Sequence, residues 1–82
     1  MRGVTMVKDL VEYIAKALVD NTDSVTVNAI EGEKSIILEL KVAQDDIGKV
    51  IGKNGRIAQA IRIILSSAAA KSDKRIMLEI LD

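Results

Sequence analysis

The chain has 82 residues, which is enough for one domain and too few for two, and 49% of them are apolar, so a compact fold needs no covalent cross-links. Cysteine and histidine are both absent, which excludes disulfides, a thiolate nucleophile and most structural zinc or haem sites, and no cofactor or metal is predicted. The formal net charge is zero, and polar residues interrupt the apolar stretches, so the sequence predicts neither a membrane span nor a signal peptide.

The first predicted element is an amphipathic helix from about residue 5 to residue 19. Its apolar side consists of residues that recur at helical spacing, namely Val7, Leu10, Val11, Ile14, Ala17 and Leu18. Thr5 or a neighbour is expected to cap its start, and Tyr13 is expected at the edge of the core. The polar cluster at residues 20–23 ends the helix.

Two strands joined by a hairpin turn at residues 31–34 are predicted next, because apolar and other residues alternate on both sides of the turn. The second strand covers residues 35–43. The residues expected to face the core are Val25, Val27 and Ala29 in the first strand and Ile36, Leu38, Leu40 and Val42 in the second.

Two helices separated by glycines follow. Asp45 or Asp46 is expected to cap a short helix that runs through Val50, and a longer helix is predicted over residues 56–71. In the longer helix the predicted inward residues are Ile57, Ile61, Ile64, Leu65 and Ala68, and the outward ones are Arg56, Gln59, Arg62 and Ser66. A last strand over residues 75–81 places Ile76, Leu78 and Ile80 on one face.

This order of elements predicts an α+β fold. The strands at 35–43 and 75–81 are joined through two helices, so they can be parallel neighbours, and the hairpin adds an antiparallel edge strand. The result is a three-stranded mixed sheet with the helices packed on one face. Because the chain has no proline, repeat or low-complexity tract, residues 1–82 are predicted to form a single domain.

The charges of the chain are unevenly distributed. Residues 47–71 contain five basic residues and no acidic one, which gives this segment +5, and the remaining 7 basic and 12 acidic residues give −5. Such a segment can attract phosphate, although a solvated helix face explains the charge alone equally well.

The glycines at 52 and 55 give the basic segment a specific chemistry. Without Cβ atoms, the backbone can turn sharply there and lie close to a sugar-phosphate chain. The N–H groups and positive dipole end of the following helix favour phosphate, and Lys53, Arg56 and Lys49 add cationic donors. The loop is therefore predicted to bind a nucleic-acid backbone without reading its sequence.

The run from Asp46 to Arg56 resembles the KH signature, whose centre is Val-Ile-Gly-x-x-Gly between two helices. Val50, Ile51, Gly52 and Gly55 match that centre. With the predicted order α-β-β-α-α-β, the resemblance is to the type II KH fold and covers essentially the whole chain. The length and the run from Gly55 to Arg62 are similar to the small stand-alone bacterial KH proteins of the KhpA family.

The resemblance implies a non-catalytic RNA-binding protein that clamps about four nucleotides of single-stranded RNA between the GxxG loop and an aliphatic groove. An RNA chaperone or post-transcriptional regulator of the bacterial cytoplasm is expected, which fits the cysteine-free composition. The predicted RNA-binding residues are Gly48, Lys49, Ile51, Gly52, Lys53, Asn54, Gly55, Arg56, Gln59 and Arg62, and the predicted groove lining adds Ile47, Val50 and Ala58. Ala58 departs from the family, since many KH domains have Ile or Val there.

Other functions fit the residues less well. A P-loop would need one more residue between its glycines, and Asn54 stands where Ser or Thr would hold magnesium. Asp45 and Asp46 are adjacent, so helix capping explains them better than paired catalytic carboxylates do, and no enzyme is predicted. The alternative is a KH fold that serves protein assembly with weak or no RNA binding, because the net charge is zero and Ala60 and Ile63 lie off the inward stripe of the long helix. The KhpA resemblance implies a homodimer, or a heterodimer with a larger Jag-type KH protein.

Overall fold

The computed structural model describes residues 2–71 and 73–81, with side chains from residue 4 onward. Within these ranges the chain forms three α-helices and three strands. They are α1 Arg2–Leu18, β1 Thr26–Glu31, β2 Ser35–Lys41, α2 Ile47–Ile51, α3 Arg56–Ala69 and β3 Arg75–Ile80. Single 3₁₀ turns precede β1, α2 and α3. The predicted order α-β-β-α-α-β and the α+β class are confirmed.

The sheet has the strand order β1-β2-β3, with β2 in the centre. The hairpin makes β1 and β2 antiparallel, and the crossover through α2 and α3 makes β2 and β3 parallel, as predicted. Leu38 pairs with Ala29 on one side and with Leu78 on the other, so one row of apolar residues crosses the sheet. The hairpin closes through a hydrogen bond that the N–H of Gly32 donates to the carbonyl oxygen of Ser35, 2.7 Å away.

The core lies between this sheet and the helices. The four predicted inward residues of β2 and its extension are all buried, because a strand with a two-residue period presents one complete apolar face. From the helices, the side chains buried in the same core are Val7, Val11, Ala15, Val50, Ile61 and Leu65. The helices therefore cover one face of the sheet, and the other face stays open.

The structure corrects several predictions about the helices. Helix α1 begins at Arg2, so Thr5 lies inside the helix and does not cap it. Tyr13 is not at the core edge but 74% exposed, and Leu10 and Ala17 are also exposed whereas Ala15 is fully buried. In α3, Ile64 was expected to point inward and is 44% exposed. Apart from the start of α1, each error is a rotation of the buried stripe about the helix axis.

Exposed apolar side chains remain on both long helices. Met6, Leu10 and Tyr13 follow one another at three- and four-residue spacing along α1, and Ile63 and Ile64 are exposed on α3. On the open face of the sheet, Ile30, Ile37 and Met77 form a row across the three strands. None of the described helices is both long and apolar enough to span a membrane.

The alternation in β2 gives a direct test of the core. We expect Leu38→Ala to lower the free energy of unfolding by about 2–5 kcal/mol, because Leu38 is fully buried and its truncation leaves a cavity. Ile30→Ala removes an aliphatic side chain that is 51% exposed on the open face, so we expect the free energy of unfolding to fall by less than about 1 kcal/mol. Urea denaturation followed by circular dichroism measures both variants. Equal losses would contradict the assignment of the two faces.

Candidate nucleic-acid interface

The segment between α2 and α3 is an exposed bend built on an unusual backbone conformation. Gly52 has φ 80° and ψ 169°, a region that only glycine occupies readily. Asn54 and Gly55 follow with φ 60° and 73°, in the left-handed region that Asn and Gly tolerate best. The N–H of Gly55 donates to the carbonyl oxygen of Gly52 at 3.1 Å. Three positive φ angles in four residues turn the chain from α2 into α3.

The two glycines of the bend are required for different reasons. A Cβ atom on Gly52 would lie 2.6 Å from Cγ1 of Ile57 and 2.9 Å from its backbone nitrogen, so the backbone of Gly52 packs directly on the first turn of α3. A Cβ atom on Gly55 would meet nothing within 4 Å, and the same holds for Gly48 on α2. Gly52 therefore fixes the bend from inside, while Gly55 and Gly48 present bare backbone to open space.

The predicted cationic residues surround this open side. Lys53 and Asn54 are exposed in the bend, and Arg56, Gln59 and Arg62 are exposed on the first two turns of α3. Gln59 and Arg62 are three residues apart, which places them on one flank of the helix. Among the described residues, no acidic side chain forms an ion pair with Lys53, Arg56 or Arg62. Their charges are thus available to a phosphate.

Lys49 is in a different situation from the other predicted cationic residues. Its Nζ donates to Oδ2 of Asp20, in the turn after α1, and to Oδ1 of Asp46 at 3.2 Å. Oδ2 of Asp46 in turn accepts the backbone N–H of Asn21 at 3.0 Å. Asp46 stands at the N-cap position of α2 but makes no capping hydrogen bond there, so the predicted cap is wrong. Its carboxylate instead links α2 to the α1–β1 turn.

These contacts shift the pKa values of both partners. The backbone N–H of Asn21 and, to a smaller extent, the ammonium of Lys49 hold the pKa of Asp46 below its usual range, although burial opposes them. Asp20 and then Asp46 raise the pKa of Lys49. Because the folded-state pKa of Asp46 is depressed, its contribution to stability is present above the ordinary carboxyl pKa and is lost as the pH falls through the depressed value.

The four apolar residues predicted to line or adjoin a groove fall into two pairs. Ile47 and Ile51 are half-buried on α2 and keep surface beside the bend. Val50 is fully buried and Ala58 is 3% exposed, so in this structure both lie beneath that surface and support it. A small residue at 58 fits this enclosed position. Contact of any of the four with a ligand stays a prediction.

The sequence analysis missed the residues that anchor the bend. Asp20 and Asn21 were interpreted only as a helix end, and Asp46 only as a cap. A local signal did exist, since Asp46 and Lys49 stand three residues apart and such pairs meet on a helix. The contact between Asp46 and Asn21 spans 25 residues and had no such signal.

The exposed Gly-Lys-Asn-Gly bend between two helices, on a mixed sheet with the order α-β-β-α-α-β, defines a KH domain of type II. A family model described as "KhpA/KhpB, KH domain" matches residues 8–80, which is most of the chain. The chain therefore belongs to the KhpA/KhpB family of KH domains.

Curated relatives agree with this assignment. The chain is 63% identical over 73 residues to a protein of Caldanaerobacter subterraneus subsp. tengcongensis, covering 89% of this chain and 97% of the relative. It is 60% identical over 74 residues to a protein of Borreliella burgdorferi, covering 90% of each, and 53% identical over 79 residues to one of Aquifex aeolicus, covering 96% and 100%. All three relatives are named "RNA-binding protein KhpA". No solved structure gives a significant match.

Alanine at each of the three glycines separates their roles. We expect Gly52→Ala to lower the free energy of unfolding by about 2–5 kcal/mol, because it combines a forbidden φ with a collision on Ile57. In Gly55→Ala the new Cβ atom meets no other atom, so the free energy of unfolding should fall only by the cost of the left-handed conformation, about 1–2 kcal/mol. In Gly48→Ala the new Cβ atom points from helix α2 into open space. The free energy of unfolding should rise by roughly 0.5–1 kcal/mol, because alanine favours a helix more than glycine does. Chemical denaturation gives the three values, and a Gly52→Ala variant as stable as the parent would refute the packing of the bend.

Proposed function

We propose that the chain binds single-stranded RNA, with the backbone of about four nucleotides held at the Gly52–Gly55 bend and the bases beside Ile47 and Ile51. The observation that supports this proposal is the bare, open backbone of Gly48 and Gly55, flanked by cations that form no ion pair with the described acidic side chains. The family assignment and the names of the relatives agree with RNA as the ligand.

The chemistry of the bend favours a phosphate backbone over a base edge. Lys53, Arg56 and Arg62 provide charged donors, and the N–H groups at the start of the fourteen-residue helix α3 add the positive end of its dipole. Tyr13 is the single aromatic residue of the chain and lies on α1, so stacking platforms of the RRM type are not proposed. Affinity should come from phosphate contacts and aliphatic burial, with little base selectivity from the bend itself.

The role we propose is non-catalytic. The chain contains neither cysteine nor histidine, and no nucleophile and base pair can be named. An RNA chaperone or post-transcriptional regulator in the bacterial cytoplasm is the activity that such a small backbone-binding module supports.

Replacement of Lys53 and Asn54 together by Asp tests the assignment of the bend. We expect RNA affinity to fall by about 100-fold or more, because the variant loses a charge-assisted contact and adds two acidic groups beside the phosphates. Fluorescence anisotropy with a labelled random-sequence RNA oligonucleotide measures this change, and circular dichroism checks the fold.

The matched control makes the same two chemical changes away from the bend. The double variant Lys8→Asp, Asn28→Asp makes the same two substitutions on α1 and on the open face of the sheet. It changes the net charge of the chain by the same amount, so the non-specific repulsion between protein and RNA is equal. We expect it to retain most of the affinity. Gly48→Ala is a second test of the site. We expect it to weaken RNA binding while the fold becomes more stable. Equal affinities for the parent and the Lys53, Asn54 variant would refute the assignment.

A second candidate function is protein assembly through α3, and it is compatible with the first. The observation that favours it is the exposure of Ile63 and Ile64, which are 58% and 44% exposed on a helix that otherwise packs on the sheet. The proposed partner is a second copy of the chain or a larger Jag-type KH protein, and a second KH domain would add phosphate contacts by avidity.

Sedimentation of two charge variants tests this surface. We expect the parent chain to self-associate at high micromolar concentration, and Ile63→Glu to sediment as a monomer, because a charge cannot be buried unpaired in an interface. Tyr13→Glu adds the same charge at an exposed apolar position of α1 and should leave the association intact. A monomeric parent chain would contradict self-association, and loss of association in Tyr13→Glu alone would move the interface to α1.

A further inference from the structure

Asp46 is the one buried charged side chain among residues 4–71 and 73–81, being 3% exposed. A buried carboxylate is costly unless hydrogen bonds and an opposite charge compensate it. Here the compensation comes from two directions. The N–H of Asn21 approaches Oδ2 at 3.0 Å and the ammonium of Lys49 approaches Oδ1 at 3.2 Å. The carboxylate is therefore a junction between α2 and the turn that leaves α1.

The position of this junction matters because α2 cannot hold itself in place. It has only five residues, which is too short for a stable helix in isolation, and it ends at Gly52. Val50 anchors one side of α2 in the core, and Asp46, the residue just before α2, is bound to the backbone N–H of Asn21. Two attachments at the two ends of so short a helix fix its orientation, and with it the direction in which Gly48 and the bend present bare backbone.

The same junction determines what Lys49 can do. Its ammonium is shared between Asp20 and Asp46, whereas Lys53 four residues later forms no ion pair with the described acidic side chains. If Lys49 moved to a phosphate, the buried carboxylate of Asp46 would keep only backbone N–H partners, those of Asn21 and Asp20, and would lose its counter-charge. Although the side chain of Lys49 is 44% exposed, loss of its ammonium would leave the buried carboxylate without a counter-charge, which is unfavourable. This cost favours a Lys49 that stays on the protein over one that moves to the ligand.

We propose that Asp46 and Lys49 are positioning residues of the RNA-binding bend, and that Lys49 neutralises Asp46 without serving as a phosphate ligand. This inference rests on the proposed function. It separates the four basic residues in and beside the bend into two classes. Lys53, Arg56 and Arg62 act on the RNA, and Lys49 acts on the protein.

The salt dependence of RNA binding distinguishes the two classes. Each phosphate contact contributes about −0.7 to the slope of log affinity against log salt for a single strand. Lys49→Met and Lys53→Met remove the same ammonium from positions four residues apart, so they form a matched pair. We expect Lys53→Met to weaken binding and to make the slope shallower by about 0.7. Lys49→Met should weaken binding about 5- to 30-fold with the slope unchanged, because the bend is displaced while its phosphate contacts persist.

A second variant provides rescue and guards against loss of the fold. Asp46→Asn removes the buried charge, and its side-chain oxygen can still accept the N–H of Asn21. We expect the double variant Asp46→Asn, Lys49→Met to bind RNA at least about 3-fold more tightly than Lys49→Met alone, since no unpaired charge remains. Affinities are measured at a temperature where thermal denaturation shows each variant to be folded. If Lys49→Met does not fold, Asp46→Asn alone should weaken binding without making the slope shallower.

The outcomes separate this inference from the function on which it rests. A Lys49→Met slope that becomes shallower by as much as that of Lys53→Met, with no rescue by Asp46→Asn, would show that Lys49 binds phosphate and would overturn the inference alone. Unchanged affinity in both Lys49→Met and Asp46→Asn would also overturn it. Absence of RNA binding by the parent chain would overturn the proposed function and the inference together.

Discussion

The contact between the backbone of Gly52 and the first turn of α3 is the constraint on which the rest of the interface depends. A Cβ atom at position 52 would collide with Ile57, so the backbone of Gly52 packs directly on the first turn of α3. This contact joins the end of the short helix α2 to the longer helix α3, which packs on β3 and buries Ile61 and Leu65 in the core. On Gly48 in α2 and Gly55 in the bend, a Cβ atom would meet nothing within 4 Å, so the backbone of both residues is open.

The sequence predicted the fold well where the hydrophobic pattern has one solution. In β2 a strict alternation allows only one face to be buried, and Ile36, Leu38, Leu40 and Val42 are all inside. The buried face of helix α1 was harder to predict, because apolar residues occupy more than half of its circumference. Periodicity alone does not say which part of so wide an arc meets the sheet, and Leu10 was placed inward while Ala15 was overlooked. The packing of α1 on β1 and β2 made that choice, and packing is a tertiary property.

The site shows the same division between local and tertiary information. The glycine spacing located the bend because the backbone conformation at residues 52 and 55 is a local requirement that the sequence records directly. The charges were interpreted as a sum over residues 47–71, which treated Lys49 like its neighbours. Asp20 and Asp46 lie outside that segment in sequence and beside it in space, so one of its five positive charges is compensated within the protein. A chain of zero net charge thus keeps three cations, Lys53, Arg56 and Arg62, in the bend and on the first two turns of α3, and Lys71 lies beyond the other end of that helix.

This distribution explains how one small domain can combine a ligand site with a partner surface. On α3, Gln59 and Arg62 lie on one flank and Ala60 and Ile64 lie toward the other, while Ile63, four residues after Gln59, lies between them. A strand of RNA along the first flank and a protein along the second would therefore meet at Ile63 and leave the rest of each flank separate. On the proposed function, a single bend with three available cations would bind phosphate weakly at physiological salt, and a second domain held by the apolar flank would add its own phosphate contacts to the same strand. On the two functions proposed above, the exposed isoleucines and the bare glycines would act together, because assembly would supply phosphate contacts that one domain of this size does not provide.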